Sequence, residues 1–352
     1  MMNGWLKVKQ LPVSLLVRWV LPLLMLVLIA FCRHFPAWAE GYARTVYPVV
    51  SAVLSAFSSG FPFSLEEGLA VLVIGWMVIY PFRKRKKGAS WKSVIGKEVE
   101  VLVWLYIWFY MAWGMNYFRH SVYVRLQVQP ARYDERKFLD FLHTYTDSLN
   151  AAYLSQEEVD AEVLEAEVRA FYRSLPAGSG LARPKEYQRP KFFLFTPLYS
   201  GVGVLGSMGP FFAEAQLNAD LLPVQLPFTY AHEFSHLLGV SNEAEANYWA
   251  YRACTESASP QIRYSGYFGL LPYVLINAKS LLSKETYEEW IKTIRPEVIA
   301  QYQDKHVYWK ERYSPWVGKV QDALYNLFLK GNNIPSGKKN YAEVISILLS
   351  VE

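Results

Sequence analysis

"YAHEFSHLLGVSNEAEANYW", residues 230–249, decides how the second half of this chain is read. It holds His232 and His236 four apart, with Glu233 beside the first, in the pattern H-E-x-x-H. On a helix, residues i and i+4 share a face, so both imidazoles can reach one tetrahedral zinc. Glu233 then lies beside a water in the open metal position. Zinc lowers that water's pKa to about 7, and the carboxylate can take its proton during attack on a carbonyl. The helix carries its own start and stop signals. Pro227 suits a first turn. Phe234, Leu237 and Leu238 give it an apolar side, and Gly239 suits a left-handed C-cap. From Pro227 to Gly239 there are about 13 residues, too few to span a bilayer.

A catalytic zinc commonly takes two histidines and one carboxylate, leaving one position open. Three residues after the glycine turn are candidates: Asn242, Glu243 and Glu245. An amide is a poor zinc ligand, and Asn242 is better as an N-cap. Asn242 with Glu245 three later has the spacing of a capping box. That leaves Glu243 as the expected third ligand and Glu245 as its alternative. Asn247, four residues beyond Glu243, lies on the same helical face and is placed to hydrogen-bond a histidine. The other histidines, His34, His120, His143 and His306, have no ligand spacing.

Outside this stretch the chain is unusually apolar. Of its 352 residues, 52% are hydrophobic and 19% charged, less charge than a soluble domain usually carries. The excess sits mostly in the first 120 positions and marks a membrane region. Three runs are long enough to span: residues 13–32, 63–82 and 99–118. Ser64 with Glu67 three later reads as a capping box starting the second. Residues 46–61 are too short, and too rich in Ser and Gly, to span. The basic loop "RKRKKGASWK", 83–92, predicts a cytoplasmic connection between the second and third spans. Residues 33–62 and everything after 118 are then expected outside the cytoplasm. "AWA" at 37–39 resembles a signal-peptidase site after Lys7, Lys9 and Arg18. The Arg33–His34 pair just before it argues for an uncleaved anchor. The net charge of +5 is too small to argue for nucleic acid, and Cys32 and Cys254 imply no disulfide framework.

From about 119 the sequence becomes mixed and water-soluble. Residues 134–154 have helical spacing, and 155–175 read as a helix opened by a Ser155/Glu158 capping box. "KFFLF", 191–195, reads as a strand, 200–209 as a glycine-rich loop at the rim of a cleft, and 209–218 as a strand whose edge an extended peptide can pair with. The loop has no Lys-Ser or Lys-Thr after it and is no Walker loop.

"HEFSH" followed by "EAEAN" resembles the zincin peptidases whose second helix carries Glu-x-x-Ala-Asp or Glu-x-x-Ala-Asn. In those families the first glutamate of that motif binds zinc, which maps onto Glu243. Only six residues separate it from His236, where many such enzymes have more. The metzincin pattern fits less well, because Asn242 stands where its third histidine belongs. The chain also resembles, over nearly its full length, a bacterial membrane family of unknown function. The resemblance rests on the N-terminal spans, "WGMNYFR" (113–119), the H-E-x-x-H helix with its following E-A-N, and "RYSGY" (263–267).

Together these imply an α-helical membrane anchor, 1–118, and an α+β, mostly helical zincin-like metallopeptidase domain with a small antiparallel sheet, 119–352. The expected activity is zinc-dependent hydrolysis of peptide bonds, with the lipid bilayer and a peptide or protein substrate as partners. Tyr264 or Tyr267 is expected to donate to the oxyanion, and Arg263 to do the same or clamp a substrate carboxylate. The alternative is a non-catalytic zincin-like membrane protein that binds or senses envelope components. An intact Glu233 counts against it, since such a protein has no need of the base.

Overall fold

Pro36 turns the chain just beyond the first apolar run. A π-helical turn, Leu16–Val20, leads into α1, Leu21–His34, and α2, Pro36–Thr45, departs at a bend of 110°. Proline has no N–H to continue the ladder, and its ring clashes with the carbonyl four residues back. The structure is a computed structural model that describes residues 16–155, 158–336, 339 and 342–351. Residues 13–15 of the expected first span, with Lys7 and Lys9, lie outside the described residues. Ala37 to Ala39 fall inside α2, where Ala39 is fully buried.

Next come α3, Tyr47–Ser59, and a helical hairpin of α4, Leu65–Lys86, and α5, Trp91–Ala112. Ser64 caps α4 by accepting from the Glu67 N–H at 3.1 Å. Among the described residues, α4 is long and apolar enough to cross a membrane, and the bent pair containing α1 and α2 would make a second such element. The third apolar run differs from its expected form. Its helix begins at Trp91, contains Lys97, Glu98 and Glu100, and stops at Ala112. Residues 114–118 form a 3₁₀ turn instead. Gly114 permits that turn, because a Cβ there would lie 2.5 Å from the Phe109 ring. Arg18 pairs with Glu100 of α5 at 2.9 Å, which ties the start of the first helical segment to the hairpin.

The remainder is mostly helical: α6, Val122–Leu126; α7, Glu135–Ala152; and α8, Ala161–Ser174. The cap of α8 is Asp160, not Ser155; its carboxylate accepts from Glu162 and Val163. Then come β1, Lys191–Phe192; α9, Thr196–Gly201; β2, Gly206–Gly209; and β3, Glu214–Leu217. The sheet is mixed, not antiparallel. β3 is central, parallel to β1 and antiparallel to β2. Pro197 starts α9 soon after β1, cutting the expected 191–195 strand short. The helix and its following turn bring the chain back, so β3 runs with β1. β2 arises from the end of the expected glycine-rich loop, and β1 and β2, not the 209–218 strand, are the edge strands of the sheet.

The long helices follow: α10, Leu226–Leu237; α11, Glu243–Thr255; α12, Pro260–Leu281; α13, Lys284–Ile291; α14, Pro296–Arg312; α15, Pro315–Gly331; and α16, Val344–Val351. Phe234, Leu237, Trp249, Phe268 and Leu271 belong to the main core. A smaller core joins Ile29, Cys32, Ile107, Tyr110 and Phe118 where the apolar helices meet.

Carboxylates fasten the start of α4 to the sheet. Glu214 of β3 accepts from the Leu65 and Glu66 N–H groups and pairs with Lys191 at 2.7 Å. Glu67 accepts from the Leu194 and Phe195 N–H groups. The Glu214 side chain is fully buried, so Glu214→Ala would strand Lys191 and two orphan donors. We expect a loss of about 3–5 kcal/mol, read as a lower melting temperature of the full chain. An unchanged melting temperature would show that this anchor contributes nothing.

Candidate metal centre

Every helix leaves its last carbonyls without intrahelical partners, and α10 ends in the interior. Its final turn is closed by donors from distant parts of the chain. The Trp113 indole N–H donates to the His236 carbonyl at 2.9 Å, and the Tyr47 hydroxyl to the Leu237 carbonyl at 2.7 Å. The Ala182 N–H donates to Leu238, and Arg119 to Gly239. Gly239 has φ 98°, the left-handed stop that glycine makes without strain. At the other end, Pro227 sits in the first turn, and the Ser265 hydroxyl accepts from the Phe228 N–H.

This framing fixes the two histidines. His232 Nε2 and His236 Nε2 lie 3.1 Å apart. Glu243 Oε2 lies 3.2 Å from the first and 3.3 Å from the second. Two ligands each about 2.0–2.1 Å from a tetrahedral zinc would be roughly 3.3 Å apart. His236 Nδ1 is 2.7 Å from the Val240 carbonyl. That contact suits the tautomer with a proton on Nδ1, leaving Nε2 to bind a metal, the arrangement usual for metal-binding histidines. All three residues are buried.

The electrostatics favour positive charge among the three donors. Burial works against a charged His236, but the Glu243 carboxylate outweighs it and raises the imidazole to about 9. Burial would raise Glu243, yet both imidazoles hold it well below the usual carboxylate range. Burial raises Glu233, with His232 and His236 opposing. Geometry, donor chemistry and field therefore fit a divalent cation of the zinc type.

Glu245 is engaged elsewhere. Asn242 caps α11 by accepting from the Glu245 N–H at 2.9 Å, while the Glu245 carboxylate pairs with Arg125 and accepts from Trp249. Asn247 bonds the Tyr273 hydroxyl. Tyr264 and Tyr267 do not join the cluster: Tyr264 donates to Gln301 of α14, and Tyr267 stacks edge-on against Tyr145 and Tyr251. Arg263 donates to the Ser257 carbonyl. A tyrosine that reaches the site is Tyr325 of α15, whose hydroxyl donates to Glu243 Oε1 at 2.7 Å. No spacing in the sequence links 243 to 325, so the motif could not reveal it.

Gly206 of β2 lies against Glu233. A Cβ there would come within 2.5 Å of Glu233 Cγ and 2.6 Å of Oε1. An edge strand of the sheet therefore runs beside the residue expected to act as base. The two sequence stretches noted with the family resemblance surround this helix: 113–119 supplies Trp113 and Arg119 at its end, and 263–267 supplies Ser265 at its start.

The chain belongs to DUF3810, a family described as protein of unknown function, whose model matches residues 42–349. No curated protein matches the chain, and no solved structure matches it.

Two substitutions separate ligand from scaffold on α11. Glu245→Ala leaves Arg125 buried and unpaired, and should cost about 3–5 kcal/mol while folded protein keeps its metal content. Glu243→Ala should lower metal content with a smaller change in melting temperature. The reverse pattern, by elemental mass spectrometry and thermal unfolding, would exchange the two roles.

Proposed function

We propose that this protein is a membrane-anchored zinc metallopeptidase that hydrolyses peptide bonds outside the cytoplasm. The observation that carries the reading is the buried meeting of His232, His236 and Glu243 with Glu233 beside them and the edge strand β2 alongside. Zinc bound by these three residues would polarise a carbonyl and make a bound water acidic enough to attack at neutral pH. Glu233 takes the attacking water's proton and returns it to the leaving amine. Its burial raises its proton affinity, which suits a group that must hold a proton between two steps. A peptide in extended form pairs with the free edge of β2, the usual way a strand edge captures a chain. Gly206 keeps that edge close to Glu233 because no side chain intervenes.

The membrane part of the reading rests on the apolar helices. α4 and α5 have 22 residues each, about 33 Å of helix. The basic residues Arg83 to Lys87 sit at one end of this hairpin. At the other end Leu65 meets Glu214, and Trp113 meets His236. A cytoplasmic basic loop thus gives the metal centre an extracytoplasmic address, with α1 and α2 as a bent companion anchor.

The test uses the full chain in detergent. Wild type should hold about one zinc per chain, as expected of a single mononuclear site. Glu233→Gln should keep that metal and cut peptide hydrolysis by about a hundredfold or more. Correctly folded wild type without metal would remove the peptidase reading. Full activity in Glu233→Gln would remove the assigned base.

A further inference from the structure

α15 exposes an apolar stripe. Its outward residues include Trp316, Val317, Leu324 and Leu327, with Trp316 79% and Leu327 67% exposed, and the exposed Lys319 and Lys330 flank them along one side. Gln321, Asp322, Tyr325 and Asn326 are more covered. A helix on a water-facing surface turns its charged and polar side outward. Here the apolar residues 316, 324 and 327 follow one stripe, and the polar ones lie on the side facing Glu243. Burying that stripe in water-free surroundings is worth about 25 cal/mol per Å², so an aqueous exterior is the wrong solvent for it.

The stripe is continuous with the hairpin. The Phe328 ring packs against Phe109 of α5 and against Tyr117, at centroid distances of 5.9 and 5.8 Å. Asn332, just beyond α15, accepts from the Tyr110 hydroxyl at 2.6 Å. α5 itself exposes Val99, Leu102, Tyr106 and Trp108. The outer face of α15 therefore extends the apolar surface that the membrane reading assigns to lipid.

We infer that the acyl chains of the bilayer cover the outer face of α15, and that the helix so held keeps Tyr325 on Glu243, making metal affinity depend on the membrane. The first half of the inference rests on the membrane reading above, and the second half on the metal-centre reading. Tyr325 is a positioning residue: it fixes one carboxylate oxygen, Oε1, and so turns the other, Oε2, towards His232 and His236. Outer partners of metal ligands typically account for 10–100-fold in affinity.

The experiment places a cysteine at Leu327, labels it with bimane, and reconstitutes the full chain in phosphatidylcholine vesicles with brominated acyl chains. Cys32 and Cys254 are buried and stay unlabelled in the folded protein. Lys284→Cys, on an 80% exposed side chain, is the aqueous control. Brominated chains should quench the Leu327 label several-fold more than the control, and iodide should quench it less. Iodide quenching equal to the control overturns the lipid assignment. Shielding from both quenchers, with disulfide crosslinks between copies, overturns it in favour of a second chain.

The coupling is read as zinc affinity. Tyr325→Phe should weaken binding about tenfold at unchanged melting temperature. Leu324→Glu with Leu327→Glu should weaken it comparably in vesicles. Affinity unmoved by either variant overturns the coupling. Wild type without zinc overturns it together with the peptidase reading, whereas the quenching result stands on its own.

Discussion

The carbonyls that end α10 are the constraint from which the rest of the site follows. A helix carrying two metal-type ligands must end near them, and here it ends inside the protein. Orphan carbonyls in such a place cost free energy unless donors reach them. Trp113, Tyr47, Arg119 and the Ala182 amide are those donors. Trp113 and Tyr47 come from the apolar N-terminal part, so the apolar helices and the candidate centre are one mechanical unit. The closing turn also returns the Val240 carbonyl to His236 Nδ1. One local problem, how to stop a helix indoors, thereby orients an imidazole.

The same logic explains the unusual surface of α3. Ser51, Ser55 and Ser58 are buried on one stripe, while Val49, Val53 and Phe57 face out. Ser51 joins Tyr47 at the Leu237 carbonyl, and Ser55 accepts from Gln188. Polar groups are drawn inward because backbone and side-chain partners await them there. The outward residues need an apolar neighbour, as those of α15 do. Two helices at opposite ends of the sequence thus share an inversion that one apolar solvent would rationalise.

Much of the site could be read directly from sequence, because it is local. Pro227, Gly239 and Asn242 act within a few residues of themselves, and each takes the backbone role its chemistry dictates. The sheet was harder. A two-residue strand such as β1 carries no periodicity, and glycines 206 and 209 read as loop because nothing local says that Glu233 and Glu66 need the space. Tyr264 and Tyr267 show the limit from the other side. Proximity in sequence to a motif suggested a role, but α12 turns them towards Gln301, Tyr145 and Tyr251. A tyrosine that does touch the Glu243 carboxylate, Tyr325, is 82 positions away. Periodicity could flag α15 as amphipathic, but not that its polar side faces in, since the pattern is the same either way round.

Glu243 and Glu245 show how one turn of helix separates two functions. Each residue advances about 100° around the axis, so side chains two apart point to nearly opposite sides. With Asn242 fixing the start of α11, Glu243 must face the histidines if Glu245 faces Arg125. The buried pair with Arg125 therefore acts as a registration pin. Such pairs contribute little net stability, since desolvation offsets their attraction, but breaking one is costly. A slip or rotation of α11 that moved Glu243 off the imidazoles would leave Arg125 with no counter-charge. The ion pair that binds no metal thus makes the alternative arrangements of the carboxylate next to it expensive.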